Sequence, residues 1–531
     1  MNTNTDFGET DPIAPRGDEV VSPPSWIGGV VGLSSGIFAV STGLVVSALG
    51  DSQSSFDLVG GSFIDRTPRW LKELAIQAFG TNDKIALKVG MVGVLIIASG
   101  VLGLLSRKRL TPLQFGIVGF GILGALSAFE RDGAGFIAVI APLCGIVAGL
   151  FAAHRLHNYL TTQRELSRMP QQSRVPLGWD RRSFIRTVGA MGALSGGGVF
   201  FARSRELARV QQIEGLTKIP LPPLAVGDEL VVPKINFHPT DPYITPNTSF
   251  YRIDTALSFP RVDREKWKLR IHGLVEREKF FSMDDLLALP QVERIITLCC
   301  VSNQVGGPLI GNAVWRGVLL KDVLESCGIK KNAQQVFSTS LDGWTSGFPI
   351  TAAMDGRDAL IAIGMNGESL PIMHGYPARL VVPGLYGYVS ATKWLSEINI
   401  TTWAEEEGYW IPRGWSRDAP VKTQSRIDVP RQGESIAAGK FCLAGVAWAQ
   451  HTGIEKVEIR IDRGTWQTCD LGVDLTDDAW RQWIFDWDAT AGEHTIQVRS
   501  TDKSGYTQTE EVRRVDPDGA TGWHTRTVIV I

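Results

Sequence analysis

Hydrophobic residues are distributed unevenly along the chain, with nearly all of the long apolar runs in residues 1–205. Five of these runs approach the ~20 residues that a helix needs to cross ~30 Å of hydrocarbon. They are Ile27–Leu49, Ile85–Leu105, Leu113–Phe129, Gly135–Ala153 and Phe184–Phe201. Polar loops separate several of the runs, which favours membrane spans over buried core helices. We therefore predict a transmembrane region with five spans over residues 27–205, preceded by a cytoplasmic tail at residues 1–26.

Basic residues predict the orientation of these spans. Arg107-Lys108-Arg109 lies between the second and third spans, and seven arginines from Arg155 to Arg186 surround the connection between the fourth and fifth. Short loops rich in Lys and Arg stay in the cytoplasm. With an odd number of spans, the chain after Arg203 then lies on the extracytoplasmic side of the cell membrane, as the soluble part of a multi-pass protein.

The pair Arg181-Arg182 belongs to the segment Asp180–Arg186, which leads into an apolar stretch rich in Gly and Ala. The segment resembles a twin-arginine export signal, a pathway that moves folded, cofactor-loaded proteins. The alternative is that the two arginines only flank a membrane helix on its cytoplasmic side. Because the pair is internal, we expect it to remain uncleaved as part of an anchor.

The second part of the chain has the pattern of a globular protein. A linker is predicted at residues 206–246, where the stretch Ile219–Pro223 is rich in proline. Short β-branched runs then alternate with helix-sized stretches over residues 247–402, which predicts an α+β domain. From residue 403 to 531 several short strands are separated by turn sequences, which predicts an Ig-like β-sandwich. The fold class is thus multi-domain.

Individual elements follow from the same patterns. Trp267–Gly273 predicts a strand that ends in a turn. Ser282, followed three residues later by Asp285, predicts the capped start of a short helix, and Leu319–Leu324 predicts another. Ile454–Ile461 alternates polar and apolar residues with period two, as a half-buried strand does.

Composition narrows the classes of partner and cofactor. The net charge of −2 at pH 7 indicates no nucleic-acid partner. Six cysteines in so long a chain, without C-x-x-C spacing, argue against a disulfide framework and a zinc ribbon. C-x-x-C-H is also absent, and His154 and His157 at the end of the fourth span lack facing partners for a membrane haem. We therefore predict no haem.

Two separate segments indicate the chemistry. Cys300 lies in Thr297–Asn303 at the end of an apolar run, and further on comes the segment His374-Gly375-Tyr376-Pro377-Ala378-Arg379. Together they resemble the signature of the sulfite oxidase family of molybdenum enzymes, and the resemblance covers roughly residues 220–531. It implies a molybdenum–molybdopterin cofactor whose metal is bound by one cysteine thiolate, a soft donor that suits a redox metal.

The resemblance also implies roles for individual residues. Cys300-Val301-Ser302-Asn303 matches the family's C-x-G-N register, so Cys300 is the expected metal ligand, with Cys299 or core packing of both cysteines as alternatives. Arg252 is expected to reach the substrate, because a guanidinium is a permanent cation. The expected cofactor-binding residues are Asn247, Tyr251, Arg252, Thr339, His374, Arg379, Ser390 and Lys393.

The implied function is two-electron oxygen-atom transfer on a small sulfur-containing or other oxo substrate, with electrons exchanged with a separate partner. The family's arginine pair after the cysteine is replaced by Gln304-Val305, which favours a neutral or S-oxide substrate. The histidine that usually follows the arginine in sulfite-oxidising members is missing, since Asp254 stands in its place. The family's C-terminal domain often forms a homodimer. The alternatives are a non-catalytic binding or receptor module on a membrane anchor and a transporter with a sensor domain.

Overall fold

The long apolar runs form helices in the computed structural model of the chain. This structure describes residues 24–68, 83–131, 135–166, 181–217, 220–225, 242–257 and 262–531, and the isolated residues 71, 74, 78, 79, 230, 259 and 260. The chain divides into two units, of which the first holds the long apolar helices and the second has its main body from Leu207 to Ile531. The predicted tail lies outside the described residues except for its last three, as does much of the predicted linker.

The N-terminal helices are α1 (Ile27–Leu49), α2 (Ser55–Arg66), α3 (Asp83–Leu105), α4 (Thr111–Phe129), α5 (Gly135–Leu166) and α6 (Arg181–Thr217). Among the described residues, five of them are long and apolar enough to cross a membrane, and they coincide with the five apolar runs of the sequence. Helix α6 continues to Thr217, so the first part of the predicted linker is helical. Helix α2 was not predicted; Ser54 caps its start by accepting a hydrogen bond from the Asp57 amide at 3.1 Å.

Helices α1 and α3 approach each other closely because glycines face one another. A Cβ added at Gly32 would lie 2.0 Å from the Ser99 carbonyl oxygen and 2.8 Å from the Gly103 Cα, and one added at Gly103 would lie 2.2 Å from the Gly28 oxygen. Such contacts between small residues are a principal source of helix association in membranes, where lipid tails remove the hydrophobic driving force.

The first part of the second unit is an α+β domain with two sheets. One sheet has the strand order β2-β1-β10-β5-β6, and the other has the order β3-β4-β7-β8, with β9 paired to β7. Its elements are β1 (Lys268–Gly273), β2 (Lys279–Ser282), α7 (Met283–Ala288), β3 (Val292–Cys299), β4 (Ile310–Leu319), α8 (Leu320–Cys327), β5 (Gln335–Ser340), β6 (Thr345–Pro349), α9 (Ile350–Met354), β7 (Leu360–Met365), β8 (Glu368–Ser369), β9 (Arg379–Val381), α10 (Gly387–Ser390) and β10 (Leu395–Thr401).

Local sequence signals account for several of these elements. The predicted strand at 267–273 is confirmed as β1. The predicted capped helix is confirmed as α7, where the Ser282 hydroxyl and the Asp285 carboxylate each accept a hydrogen bond from the other residue's backbone amide. The two sheets share a core with fully buried side chains such as Trp315 and Phe348.

The C-terminal part is built almost entirely from strands. They are β11 (Gln424–Val429), β12 (Ser435–Ile436), β13 (Gly439–Trp448), β14 (Ile454–Ile461), β15 (Gln467–Thr468), β16 (Asp470–Leu471), β17 (Arg481–Ala489), β18 (Gly492–Asp502) and β19 (His524–Val530). They form one sheet of order β11-β13-β17-β16 and another of order β12-β19-β18-β14-β15. Both sheets contribute to one apolar cluster, in which Trp483 of the first sheet and Val457 of the second are fully buried. The period-two strand at 454–461 is confirmed.

The close packing of α1 and α3 predicts an effect of adding a single methyl group. Gly32→Ala should force the helices apart or strain them, at a cost of ~1–3 kcal/mol, and should lower the thermal midpoint of the purified protein in detergent. Gly93→Ala on α3 is the matched control, because nothing lies within 4 Å of the added Cβ there. Equal midpoints for the two variants would contradict the close contact.

Candidate functional site

Cys300 lies in a loop between two paired strands. Strand β3 ends at Cys299, which pairs with Ile310 of β4, and residues 300–309 connect them. The Asn303 amide donates to the Cys300 carbonyl at 2.9 Å, and the Asn303 side-chain oxygen accepts from the Leu309 amide at 2.9 Å. These bonds fix the loop at both ends and so fix the position of Cys300.

The two adjacent cysteines occupy different surroundings. Cys299 packs in an apolar cluster with residues such as Tyr243 and Trp448, and Cys300 is not a member of that cluster. Burial raises the pKa of both thiols. Hydrogen bonds act in the opposite direction at both thiols, from the Ser302 backbone and hydroxyl at Cys300 and from the Asn303 side chain at Cys299. Because Cys299 packs in the apolar cluster, Cys300 is the better placed of the two to act as a thiolate ligand.

The C-terminal domain also contacts the loop of residues 300–309, which we call the cysteine loop. Gly306 has a φ of +73°, and a Cβ there would lie 2.1 Å from the imidazole of His524. Arg426 donates to the Gly307 carbonyl at 3.1 Å and is ion-paired with Asp428. Burial lowers the pKa of His524 to about 3, so this ring is neutral at pH 7. Nothing in the local sequence pattern linked His524 or Arg426 to the cysteine, because each lies more than a hundred residues away along the chain.

Three positively charged side chains converge on the segment that contains His374. Gly375 has a φ of +116°, and a Cβ there would lie 3.1 Å from the Cβ atoms of both Arg379 and Lys393. The turn therefore brings these two cations together. Arg252 belongs to the same group, because Asp254 binds it through Nε at 2.8 Å and binds Lys393 Nζ at 2.6 Å.

Arg379 is buried without an acidic partner among the described residues. Its guanidinium donates to the carbonyls of His374 at 3.0 Å, Leu380 at 3.3 Å and Ala391 at 3.4 Å, and it lies over the Trp315 ring. Burial lowers the pKa of Arg379 to about 10 and that of Lys393 to about 8, so both remain largely protonated at pH 7. Carbonyl dipoles alone compensate a buried cation poorly.

His374 is neutral in this environment. Burial, together with the positive charges of Arg379, Lys393 and Arg252, lowers the pKa of His374 to about 4. Its Nε2 lies 2.8 Å from the Asn247 carbonyl oxygen. Because that oxygen can only accept, Nε2 carries the proton and donates. The Asn247 side chain is itself engaged by Asn366 and Glu368.

Tyr251 links the cysteine loop to the three cations Arg252, Arg379 and Lys393, which we call the basic group. Burial raises the pKa of Tyr251, the neighbouring Cys300 and Cys299 raise it further, and Arg379 acts against them. The phenol therefore lies within electrostatic range of both Cys300 and Arg379. Tyr386, which sequence reasoning did not select, is also buried beside the cysteines. Tyr386 directly precedes Gly387 in the segment that follows Arg379. This position in the sequence is the signal that could have identified Tyr386.

Two residues that the sequence predicts in the cofactor pocket make hydrogen bonds to neighbouring segments. Thr339 lies in β5 between Glu397 of β10 and Thr345 of β6, and its carbonyl accepts from the Ser396 hydroxyl. Ser390 is fully buried, and its hydroxyl donates to the Tyr386 carbonyl at 3.1 Å. No described hydrogen bond joins either side chain to the basic group.

The site fits a phosphorylated, metal-carrying organic group. Arg252, Arg379 and Lys393 bring three positive charges against the one negative charge of Asp254, and the surplus of two matches a phosphate monoester dianion. Among the described residues no group of three or more His, Cys, Asp or Glu side chains could hold a metal ion.

Comparison with known proteins agrees with this arrangement. Residues 256–410 match the family model described as oxidoreductase molybdopterin binding domain. The uncharacterized oxidoreductase YuiH of Bacillus subtilis is 35% identical over 153 residues, covering 29% of this chain and 74% of that protein. Mitochondrial sulfite oxidase of Homo sapiens is 29% identical over 306 residues, covering 49% of this chain and 56% of that protein.

Among solved structures, the sulfane dehydrogenase SoxCD from Paracoccus pantotrophus is 23% identical with a TM-score of 0.48, covering 60% of this chain and 92% of that one. The chain spans about half the length of the human sulfite oxidase that it matches. The matched molybdopterin-binding region includes the segment from His374 to Lys393 and the loop after Cys299. The chain belongs to the sulfite oxidase family of molybdopterin-dependent oxidoreductases.

Proposed function

We propose that this chain is a membrane-anchored, extracytoplasmic enzyme that transfers an oxygen atom to or from a small sulfur-containing substrate in a two-electron reaction. The observation that supports the proposal is the buried Tyr251 phenol, which lies within electrostatic range of both the Cys300 thiol and the Arg379 guanidinium. A sulfur substrate is supported by the curated relatives named sulfite oxidases.

In this proposal Cys300 is the metal ligand, and Arg379 and Lys393 bind the phosphate of the pterin. When bound, the molybdopterin cofactor supplies the redox chemistry. The protein holds the thiol in a fixed loop, buries Arg379 and Lys393, and fixes the His374 ring through its Nε2–H bond to the Asn247 carbonyl. We further assign Asn247, Tyr251, Thr339 and Ser390 to the walls of the cofactor pocket, and Arg252 to the side that faces the substrate.

The membrane part of the proposal rests on the five apolar helices and on the basic residues around their connections. We propose that these helices span the cell membrane and that Arg181-Arg182 acts as an internal twin-arginine signal. The C-terminal strands, in two sheets over one core, support an Ig-like domain over residues 403–531 that forms a homodimer. Electrons would pass to or from a separate redox partner, since no haem motif is present in the sequence.

Replacement of the two cysteines distinguishes the metal ligand. Cys300→Ser should abolish or alter the Mo(V) electron paramagnetic resonance signal and lower the molybdenum content, because a hydroxyl is a poor substitute for a soft thiolate. Cys299→Ser is the matched control, and it should retain both, because Cys299 packs in the apolar cluster. The assignment would be wrong if Cys299→Ser lost the signal and Cys300→Ser kept it, in protein that folds equally well by circular dichroism.

Removal of the Arg379 charge should affect the cofactor more than the fold. Arg379→Gln should lower cofactor retention about tenfold or more, equivalent to ~1.4 kcal/mol, in a dialysis assay of pterin and molybdenum. The thermal midpoint of the cofactor-free Arg379→Gln variant should not fall below that of the cofactor-free wild type, because the Arg379 guanidinium is buried with carbonyl groups and no carboxylate as its described hydrogen-bond partners.

Arg499→Gln is the control for that measurement, since Arg499 stacks on Trp466 in the C-terminal domain. A phosphate site at Arg379 would be contradicted if Arg379→Gln retained the cofactor as the wild type does. It would also be contradicted if Arg499→Gln lost the cofactor to the same extent as Arg379→Gln.

Fusion of alkaline phosphatase tests the orientation of the spans. Alkaline phosphatase fused after Ile531 should be active, and alkaline phosphatase fused after Arg109 should be inactive. The reason is that alkaline phosphatase needs an oxidising compartment to form its disulfides. The reverse pattern of activities would contradict the proposed extracytoplasmic location.

A further inference from the structure

Asp254 occupies the place where an anionic ligand of Arg252 would bind. We propose that Asp254 is a specificity-determining residue, a built-in anion that keeps Arg252 occupied and makes the enzyme select an uncharged oxo substrate over an oxyanion such as sulfite. This inference rests on the proposed function, because it concerns the substrate of the same pocket.

The carboxylate of Asp254 uses both oxygens to hold the two cations. Oδ2 accepts from Arg252 Nε at 2.8 Å and from Lys393 Nζ at 2.6 Å, and Oδ1 accepts from Arg252 Nη2 at 3.2 Å. The guanidinium is thus engaged in a two-pronged pair, the same geometry by which it would bind an oxyanion. The Asp254 side chain is only 5% exposed, so water screens these bonds weakly.

Arg252 is held on a second side as well. Its guanidinium carbon lies 4.4 Å from the centre of the Phe259 ring, a cation–π contact. Lys393 is likewise tied to the cofactor side of the pocket, because its Nζ also donates to the Met373 carbonyl next to His374. An oxyanion that bound Arg252 through the same Nε–Nη2 edge would have to displace Asp254.

The charge balance of the pocket leads to the same conclusion. With Asp254 neutralising Arg252, the two remaining positive charges are those of Arg379 and Lys393, and a cofactor phosphate dianion balances both. On the cysteine loop, Gln304 and Val305 carry no charge. Arg426, which reaches that loop from the C-terminal domain, is paired with Asp428. An incoming dianion would therefore meet guanidinium groups that already have carboxylate partners.

Sulfate binding to the cofactor-loaded full chain tests the inference, with isothermal titration calorimetry as the measurement. Asp254→Asn keeps the size of the side chain but removes its charge, and it should bind sulfate about tenfold or more tightly than the wild type. Asp254→Glu, which restores the charge, should return the affinity towards the wild-type value. The double variant Asp254→Asn, Arg252→Gln should lose the gain, because the gain acts through Arg252.

Asp284→Asn is the control, since Asp284 pairs with Arg264 on an exposed surface of the same domain. It should bind sulfate as the wild type does. Unchanged sulfate affinity in a molybdenum-loaded Asp254→Asn protein would overturn the inference, and so would a gain that persists in the double variant.

The wild type provides a test that does not depend on any variant folding. Its sulfate dissociation constant should be about 1 mM or weaker, and binding in the micromolar range would overturn the inference. Molybdenum content of the same sample reports separately on the proposed function. A wild type with molybdenum but with tight sulfate binding refutes only the role of Asp254, whereas a folded wild type without molybdenum refutes the proposed function itself.

Discussion

The burial of positive charge is the constraint on which this site depends. Arg379 is surrounded by carbonyl groups and an indole ring, and Lys393 shares the single carboxylate of Asp254 with Arg252. A buried ion that lacks a counter-charge costs several kcal/mol even after the protein relaxes around it. An anionic ligand would remove that cost, and in the proposed function the free energy that the fold gives up in assembling the basic group contributes to the affinity for the pterin phosphate.

The fold assembles this pocket from parts that are distant along the chain. The strand pair β3–β4 presents Cys300, and the turn at Gly375 brings Arg379 and Lys393 together. The buried Tyr251 phenol lies within electrostatic range of Cys300 and Arg379. The C-terminal strands then contact the cysteine loop through Arg426 and His524. The loop that carries Cys300 is therefore contacted by two domains, which links the β-rich C-terminal region to the first domain.

The sequence predicts well what depends on local patterns. The apolar runs, the capped start of α7 and the period-two strand β14 all appear where expected. The cofactor class also follows from two short segments. The sequence does not predict contacts between distant segments, such as Asp254 with Lys393 or His524 with Gly306, because neither local propensity nor spacing specifies them. Helix α2 was missed for a different reason, since its mixed polarity hides it between two apolar runs.

The most direct test of this account is the molybdenum and pterin content of the full-length protein, purified from a host that makes the cofactor. We expect one molybdenum and one phosphorylated pterin per chain, released together on denaturation. A protein that folds with the same sheet content but contains neither metal nor pterin would contradict the proposed cofactor site. The buried cations of the basic group would then have no phosphate to balance their charge.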